Sequence, residues 1–155
     1  MNDVIKHDIT VSRRFDAPRE LVYRAFVDPD QLCEWYGPEG FYVPCETVQI
    51  DARPGGFQRF VLANVDDPGG RYQVEVTLSE VVENELLAGH QDVERIGAAR
   101  PADRTGLRLE FLEEPNGRTR LELRQGPYTG EAGQEAEARW ESSFKSLDSL
   151  LRRSL

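Results

Sequence analysis

The sequence predicts an α+β fold in which one antiparallel sheet packs against a long C-terminal helix. Three observations carry that prediction. Tyr72, Val74, Val76 and Leu78 alternate with Gln73, Glu75, Thr77 and Ser79, the period-two mark of a strand with one buried face, and similar segments lie on either side. Residues 130–153 contain no proline, and Ala132, Ala136, Trp140, Phe144, Leu147 and Leu151 recur every three or four positions, as in one amphipathic helix of about 36 Å. The strands are grouped together, which argues against a doubly wound sheet of alternating strands and helices.

The elements follow in order. Ile9, Val11 and Arg13 alternate with Thr10, Ser12 and Arg14, giving a first strand that ends at Asp16-Ala17-Pro18. Pro18 suits the first position of a helix, Glu20 its first turn, and Leu21, Val22, Ala25 and Phe26 form its apolar stripe with Tyr23 on the flank. Asp28-Pro29-Asp30-Gln31 resembles a capping box and opens a second, shorter helix through Leu32, Cys33, Trp35 and Tyr36. Gly37-Pro38 stops it, because proline cannot donate to the helix and disfavours a helical residue before it.

Strands are then expected over residues 43–51 and 57–63, joined by Arg53-Pro54-Gly55-Gly56, followed by the strand around Val74 and a weaker one over residues 86–93. Leu107, Leu109 and Phe111 face Leu121 and Leu123 across Pro115-Asn116-Gly117, and Asn-Gly is the strongest short hairpin signal. Residues 95–105 read as a long flexible loop. Thr129 is placed to cap the terminal helix. The order is thus strand, two helices, six strands and a long helix.

The chain of 155 residues has the length of one domain, able to bury roughly 68–70% of its unfolded surface. One domain spanning 1–155 is expected. Its 28 acidic and 19 basic side chains give a net charge of −9, and Arg13 with Arg14 and Arg152 with Arg153 are isolated pairs, so no nucleic-acid partner is expected. No apolar run approaches the ~20 residues of a membrane span, and the start does not resemble a signal peptide, so a cytoplasmic location is expected. Gly-x-Ser-x-Gly, phosphate-loop and His-Glu-x-x-His patterns do not occur, which leaves hydrolase, nucleotide and zinc-protease chemistry without a motif.

Cys33 and Cys45 bracket Trp35, Tyr36, Phe41 and Tyr42 in CEWYGPEGFYVPC. With two distant histidines they do not give zinc-site spacing, so no metal and no cofactor are expected. Free, mostly buried thiols are expected in a reducing cytoplasm, with a regulatory disulfide as the alternative.

FDAPRELVYRAFVDP at 15–29, EWYGPEGF at 34–41, DARPGGFQRF at 51–60 and the terminal helix carrying Trp140 occur in the order seen in the family of activators of heat-shock protein 90 ATPase homologues. The chain resembles that family over nearly its whole length, and through it the helix-grip, or SRPBCC, superfamily that includes START lipid-binding domains. The resemblance implies a curved sheet gripping the C-terminal helix, with a cavity between them that in many relatives holds an apolar small molecule.

Two functions follow. The first is binding of a small apolar or amphipathic ligand, with or without modest catalysis, at a site shaped by Trp35, Tyr36, Phe41, Tyr72, Phe111, Trp140 and Phe144. Thr119 and Gln125, which share the parity of Leu121 and Leu123, would be its polar contacts. His90, on the weak strand, is the candidate general base, ahead of His7. Glu75, Glu110, Glu122, Arg108, Arg120 and Arg124 have the opposite parity and are expected on the solvated face. The alternative is an interaction module with a chaperone partner, as the family name suggests, or a homodimer. The chaperone activator also carries a separate N-terminal domain, for which no counterpart is expected before Ile9.

Overall fold

Alternation and turn chemistry produce eight strands and three α-helices among the described residues. They are β1 (Lys6–Phe15), α1 (Arg19–Val27), α2 (Pro29–Trp35), β2 (Phe41–Tyr42), β3 (Gln49–Asp51), β4 (Phe57–Asn64), β5 (Arg71–Val82), β6 (Leu86–Arg95), β7 (Asp103–Glu114), β8 (Arg118–Thr129) and α3 (Gly130–Arg153). The computed structural model describes residues 5–99 and 102–154 of the chain. The strands form one antiparallel sheet in the order β1-β8-β7-β6-β5-β4-β2, with β3 also on β4. The sheet curls around α3, so the fold is the helix grip expected from the sequence. No helix among the described residues is long and apolar enough to cross a membrane.

Local signals explain most boundaries. Asp28 Oδ1 accepts from the Asp30 N–H at 3.0 Å, and with Pro29 in the first turn it starts α2 directly after α1. At the β7–β8 hairpin, Asn116 and Gly117 take φ of 67° and 72°, a left-handed conformation that these residue types tolerate best. Thr129 occupies the N-cap of α3, yet its side chain makes no capping bond there.

Two expected segments differ. Residues 43–51 do not form one strand, because a 3-10 turn at Cys45–Thr47 divides β2 from β3. Thr47 explains the break: its hydroxyl donates to the Pro44 carbonyl at 2.7 Å and accepts the Val61 N–H at 3.1 Å. A side chain thus takes a bond that a ladder partner would otherwise make. The loop expected over residues 95–105 is shorter at its ends, since β6 runs to Arg95 and β7 begins at Asp103; residues 100 and 101 of that loop lie outside the described residues.

The expectation of free thiols is overturned. Cys33 and Cys45 form a disulfide, and no described cysteine is free. The cause is tertiary: Leu32 of α2 packs with Val43, Val48, Phe60 and Val74 in a satellite apolar cluster, which brings the end of α2 against the 3-10 turn. Thirteen residues from Cys33 to Cys45 therefore form a closed loop.

The larger core lies where α1 and α3 meet the concave sheet face. Phe26 contacts Phe111 and Trp35 with ring centroids 5.4 and 4.8 Å apart, Tyr23 contacts Phe111 at 5.4 Å, and Phe15 meets Phe144 at 6.0 Å. These near-perpendicular pairs fill one end of the grip. On the outer face the expected Arg108 and Glu110 pair with each other, Arg108 also pairs with Glu80, and Arg104 pairs with Asp92.

Candidate functional site

Nearer its start, α3 packs closely through Gly133 on Ile9 of β1 and Tyr128 of β8, and near its middle it borders a hollow on the concave side of the sheet. Trp140 and Ser143 face the concave surface there, and a cavity of about 490 Å³ separates them from it. The turn after α2 supplies one wall through Tyr36, Pro38 and Phe41; Leu62, Tyr72, Val74 and Val93 supply an apolar sheet wall. The remaining lining is polar: Gln91, Thr105 and Gln125 on the sheet, with Asp103, Tyr128 and Arg139 beside them. Strand parity sets this arrangement, because Gln91 is paired with Thr105, and Leu107, two residues along β7 on the same face, is paired with Gln125.

A hydrogen-bond chain fixes part of the polar surface. The Trp140 indole N–H donates to Gln125 Oε1 at 2.7 Å, and Gln125 Nε2 donates to Thr105 Oγ1 at 2.9 Å. Since an indole nitrogen can only donate, the Gln125 amide has a single orientation. Tyr128 lines the cavity beside Thr105. The chain spans α3, β7 and β8 at the cavity and engages both the oxygen and the nitrogen of the Gln125 amide.

The aromatic wall is held from several sides. Gly37 takes φ of 119°, which suits glycine and turns the chain sharply after α2. The Glu39 N–H donates to Ser142 Oγ at 2.9 Å, tying the turn to α3, and the disulfide closes its base. Tyr36 rests between Phe60 and Trp140, at 4.7 and 5.7 Å between centroids. Burial, reinforced by Tyr128, pushes its phenol well above the ordinary tyrosine pKa, with Arg139 opposing the shift. Tyr128 is likewise raised, chiefly by burial. Both phenols are therefore neutral donors or acceptors at neutral pH.

The sequence-derived candidates divide between cavity and core. Tyr36, Phe41, Tyr72, Gln125 and Trp140 line the hollow. Trp35, Phe111 and Phe144 belong to the packed core, with Trp35 Nε1 donating to the Ala25 carbonyl at 2.8 Å. Thr119 is fully buried and donates to the Ala17 carbonyl at 2.7 Å, joining β8 to the start of α1. All four are buried as expected, Phe111 and Thr119 by strand parity and Trp35 and Phe144 by helix face, but they lie nearer the end filled by α1.

His90 is corrected by register. Its neighbours Gln91 and Gly89 share the inward face with Thr105 and Leu107, so His90 points outward and cannot act as a base in the cavity. It lines a shallow outer depression with Asp8, Glu80, Arg108 and Arg124, whose charges are taken up in ion pairs. Among the described residues no cluster of three His, Cys, Asp or Glu side chains could hold a metal.

Gln91, Thr105, Tyr128, Arg139 and Ser143 were not anticipated as cavity residues. The parity of Thr105 with Leu107 would have found one of them, and Ser143, next to Phe144 on the buried stripe, a second. Gln91 lay on a strand whose register the sequence left open.

The family model described as Activator of Hsp90 ATPase homolog 1-like protein matches residues 16–152. Among solved structures, the chain is similar to the AHSA1 protein from Silicibacter pomeroyi, at 25% identity and a TM-score of 0.79, covering 96% of this chain and 100% of that one. A protein from Chromobacterium violaceum is 25% identical with a TM-score of 0.78, over 93% and 96% of the two chains. One from Mycobacterium smegmatis shares the fold at 22% identity and a TM-score of 0.77, with 99% of each chain covered. No match to a curated protein was found.

Proposed function

The chain belongs to the family of Activator of Hsp90 ATPase homolog 1-like proteins, and from that membership together with its interior we propose that it binds a small apolar or amphipathic molecule between the sheet and α3. The observation that carries the reading is the hollow itself. A protein of this size has enough apolar side chains to close such a space, and interiors are otherwise filled to crystal-like density. At about 490 Å³, the cavity falls in the range of small-molecule sites, with mostly apolar walls and a few convergent polar groups.

The reading is binding without an assigned reaction. Gln91, Thr105 and Gln125 are amides and a hydroxyl, which orient a ligand and do not titrate near neutrality. Tyr36 and Tyr128, with raised pKa values, also stay neutral there.

Calorimetric titration with 2-naphthoic acid, a rigid apolar body with one carboxylate, tests the proposal. Saturable one-to-one binding is expected for the wild type and its loss in Ser143→Phe, which places a ring in the hollow while α3 keeps its buried stripe. Absence of saturable binding to the wild type, or equal binding by a folded Ser143→Phe variant, overturns the reading.

A further inference from the structure

Ser143 lies on the buried stripe of α3, is only 3% exposed and lines the cavity. Ser149 and Ser154 bond back to the Lys145 and Leu150 carbonyls, but the Ser143 hydroxyl makes no hydrogen bond to any described residue. Its oxygen is also not sealed off. Gln91 holds a partnerless amide atom that is walled in, whereas Ser143 Oγ remains open.

Arg139 stands one turn earlier on the same side of α3, is exposed, and lines the cavity as well. Two other arginines of the helix are paired, Arg152 with Asp148 at 3.1 Å and Arg153 with Glu34 at 4.0 Å. Arg139 has Glu135 one turn away, yet it forms no ion pair among the described residues. Its charge instead acts on the phenols of Tyr36 and Tyr128, opposing the rise that burial gives each, so the guanidinium lies toward the cavity walls.

The polar groups of the cavity therefore form two sets. Trp140, Gln125 and Thr105 satisfy one another. Ser143 and Arg139 hold donors that nothing in the described fold receives, while Asp103, which lines the same cavity, has a partner of its own. A buried hydroxyl without a partner costs the empty fold stability, and alanine, a better helix former, would avoid that cost.

We infer that the occupant is an acid whose carboxylate is held between the Arg139 guanidinium and the Ser143 hydroxyl, with its apolar body against Leu62, Val74 and Val93. This rests on the cavity reading above and adds the charge of the ligand. A carboxylate only accepts, so it takes both donors at once; a neutral carbonyl would satisfy Ser143 and leave the charge of Arg139 unanswered.

Two probes of one shape test the assignment: 2-naphthoic acid, ionised at neutral pH, and the neutral 2-naphthamide, titrated into the wild type, Arg139→Gln and Ser143→Ala. In the wild type at low salt the acid is expected to bind about tenfold more tightly, the scale of a charge-assisted hydrogen bond, and added salt should narrow the margin because Arg139 is open to water. Arg139→Gln should abolish the preference and leave the amide's affinity unchanged. Ser143→Ala should weaken the acid about fivefold, while the unliganded variant unfolds at the same or a higher temperature. A preference that survives Arg139→Gln, undiminished binding of the acid by Ser143→Ala, or a lowered unfolding temperature of that variant would each overturn the assignment. If acid and amide bind the wild type equally, the cavity reading stands and only the assignment of charge falls. If neither binds the wild type, both fall.

Discussion

The two ends of the grip use the same sheet and the same helix, and one is solid whereas the other is hollow. At the solid end α1 lies across the opening: Tyr23 and Phe26 interlock with Phe111 and Trp35, and Trp35 in turn meets Phe144 of the Phe15–Phe144 pair. At the hollow end no helix among the described residues performs that task. A turn of α2-to-β2 chain, braced by a disulfide and by Ser142, holds Tyr36 and Phe41 as a wall instead. The difference teaches that a cavity in this fold depends less on the sheet's apolar alternation than on what covers its open side.

Phe144→Ala should have the largest effect. Phe144 is fully buried at the centre of the solid end, so its truncation is expected to cost about 3–5 kcal/mol in urea unfolding. Affinity for 2-naphthoic acid in the folded fraction should change little, and a large loss there would show that the two ends are not separable. The disulfide probes the other side. Replacing both cysteines by alanine opens a link across 12 positions and should cost roughly 3 kcal/mol by the loop-closure argument. Here binding should weaken as well, because Tyr36, Pro38 and Phe41 all lie inside the released loop; undiminished affinity would show that Ser142 and packing suffice to hold the wall.

The smallest expected effect sharpens the comparison through pH. Burial raises the Tyr36 pKa above 10.0, so the folded state holds the phenolic proton more tightly than the unfolded chain does. The stabilisation is complete below pH 10 and is lost as pH rises through the folded value. Urea midpoints should therefore fall more steeply above pH 10 in the wild type than in Tyr36→Phe. Equal slopes would mean that the wall around Tyr36 admits water freely.

Much of the cavity was legible in particular residues. Tyr72 and Val74 announced the inward face by alternation, Gln125 by sharing the parity of Leu121 and Leu123, and Trp140 by its place on the stripe of α3. The same signals also chose Phe111, Thr119 and Phe144, because inward parity tells which face a residue occupies and not whether a neighbour fills the space above it. Trp35 and Tyr36 are adjacent in sequence, yet one packs beneath α1 and the other faces the hollow. His90 illustrates the converse: a strand without a clear apolar pattern gave no register, and one residue of shift exchanges cavity for solvent.

What the sequence determined by itself is the α+β class, the order of the helices and of the strands other than β2 and β3, the span of α3 and the hairpin at Asn116-Gly117. Each rests on periodicity or on a turn residue, and both act between near neighbours in the chain. Tertiary structure alone decided that Cys33 and Cys45 meet, that Gln125 is satisfied while Gln91 is not, and that the grip is filled at one end only. These depend on which surfaces distant segments bring together, and local backbone preferences carry no information about that distance.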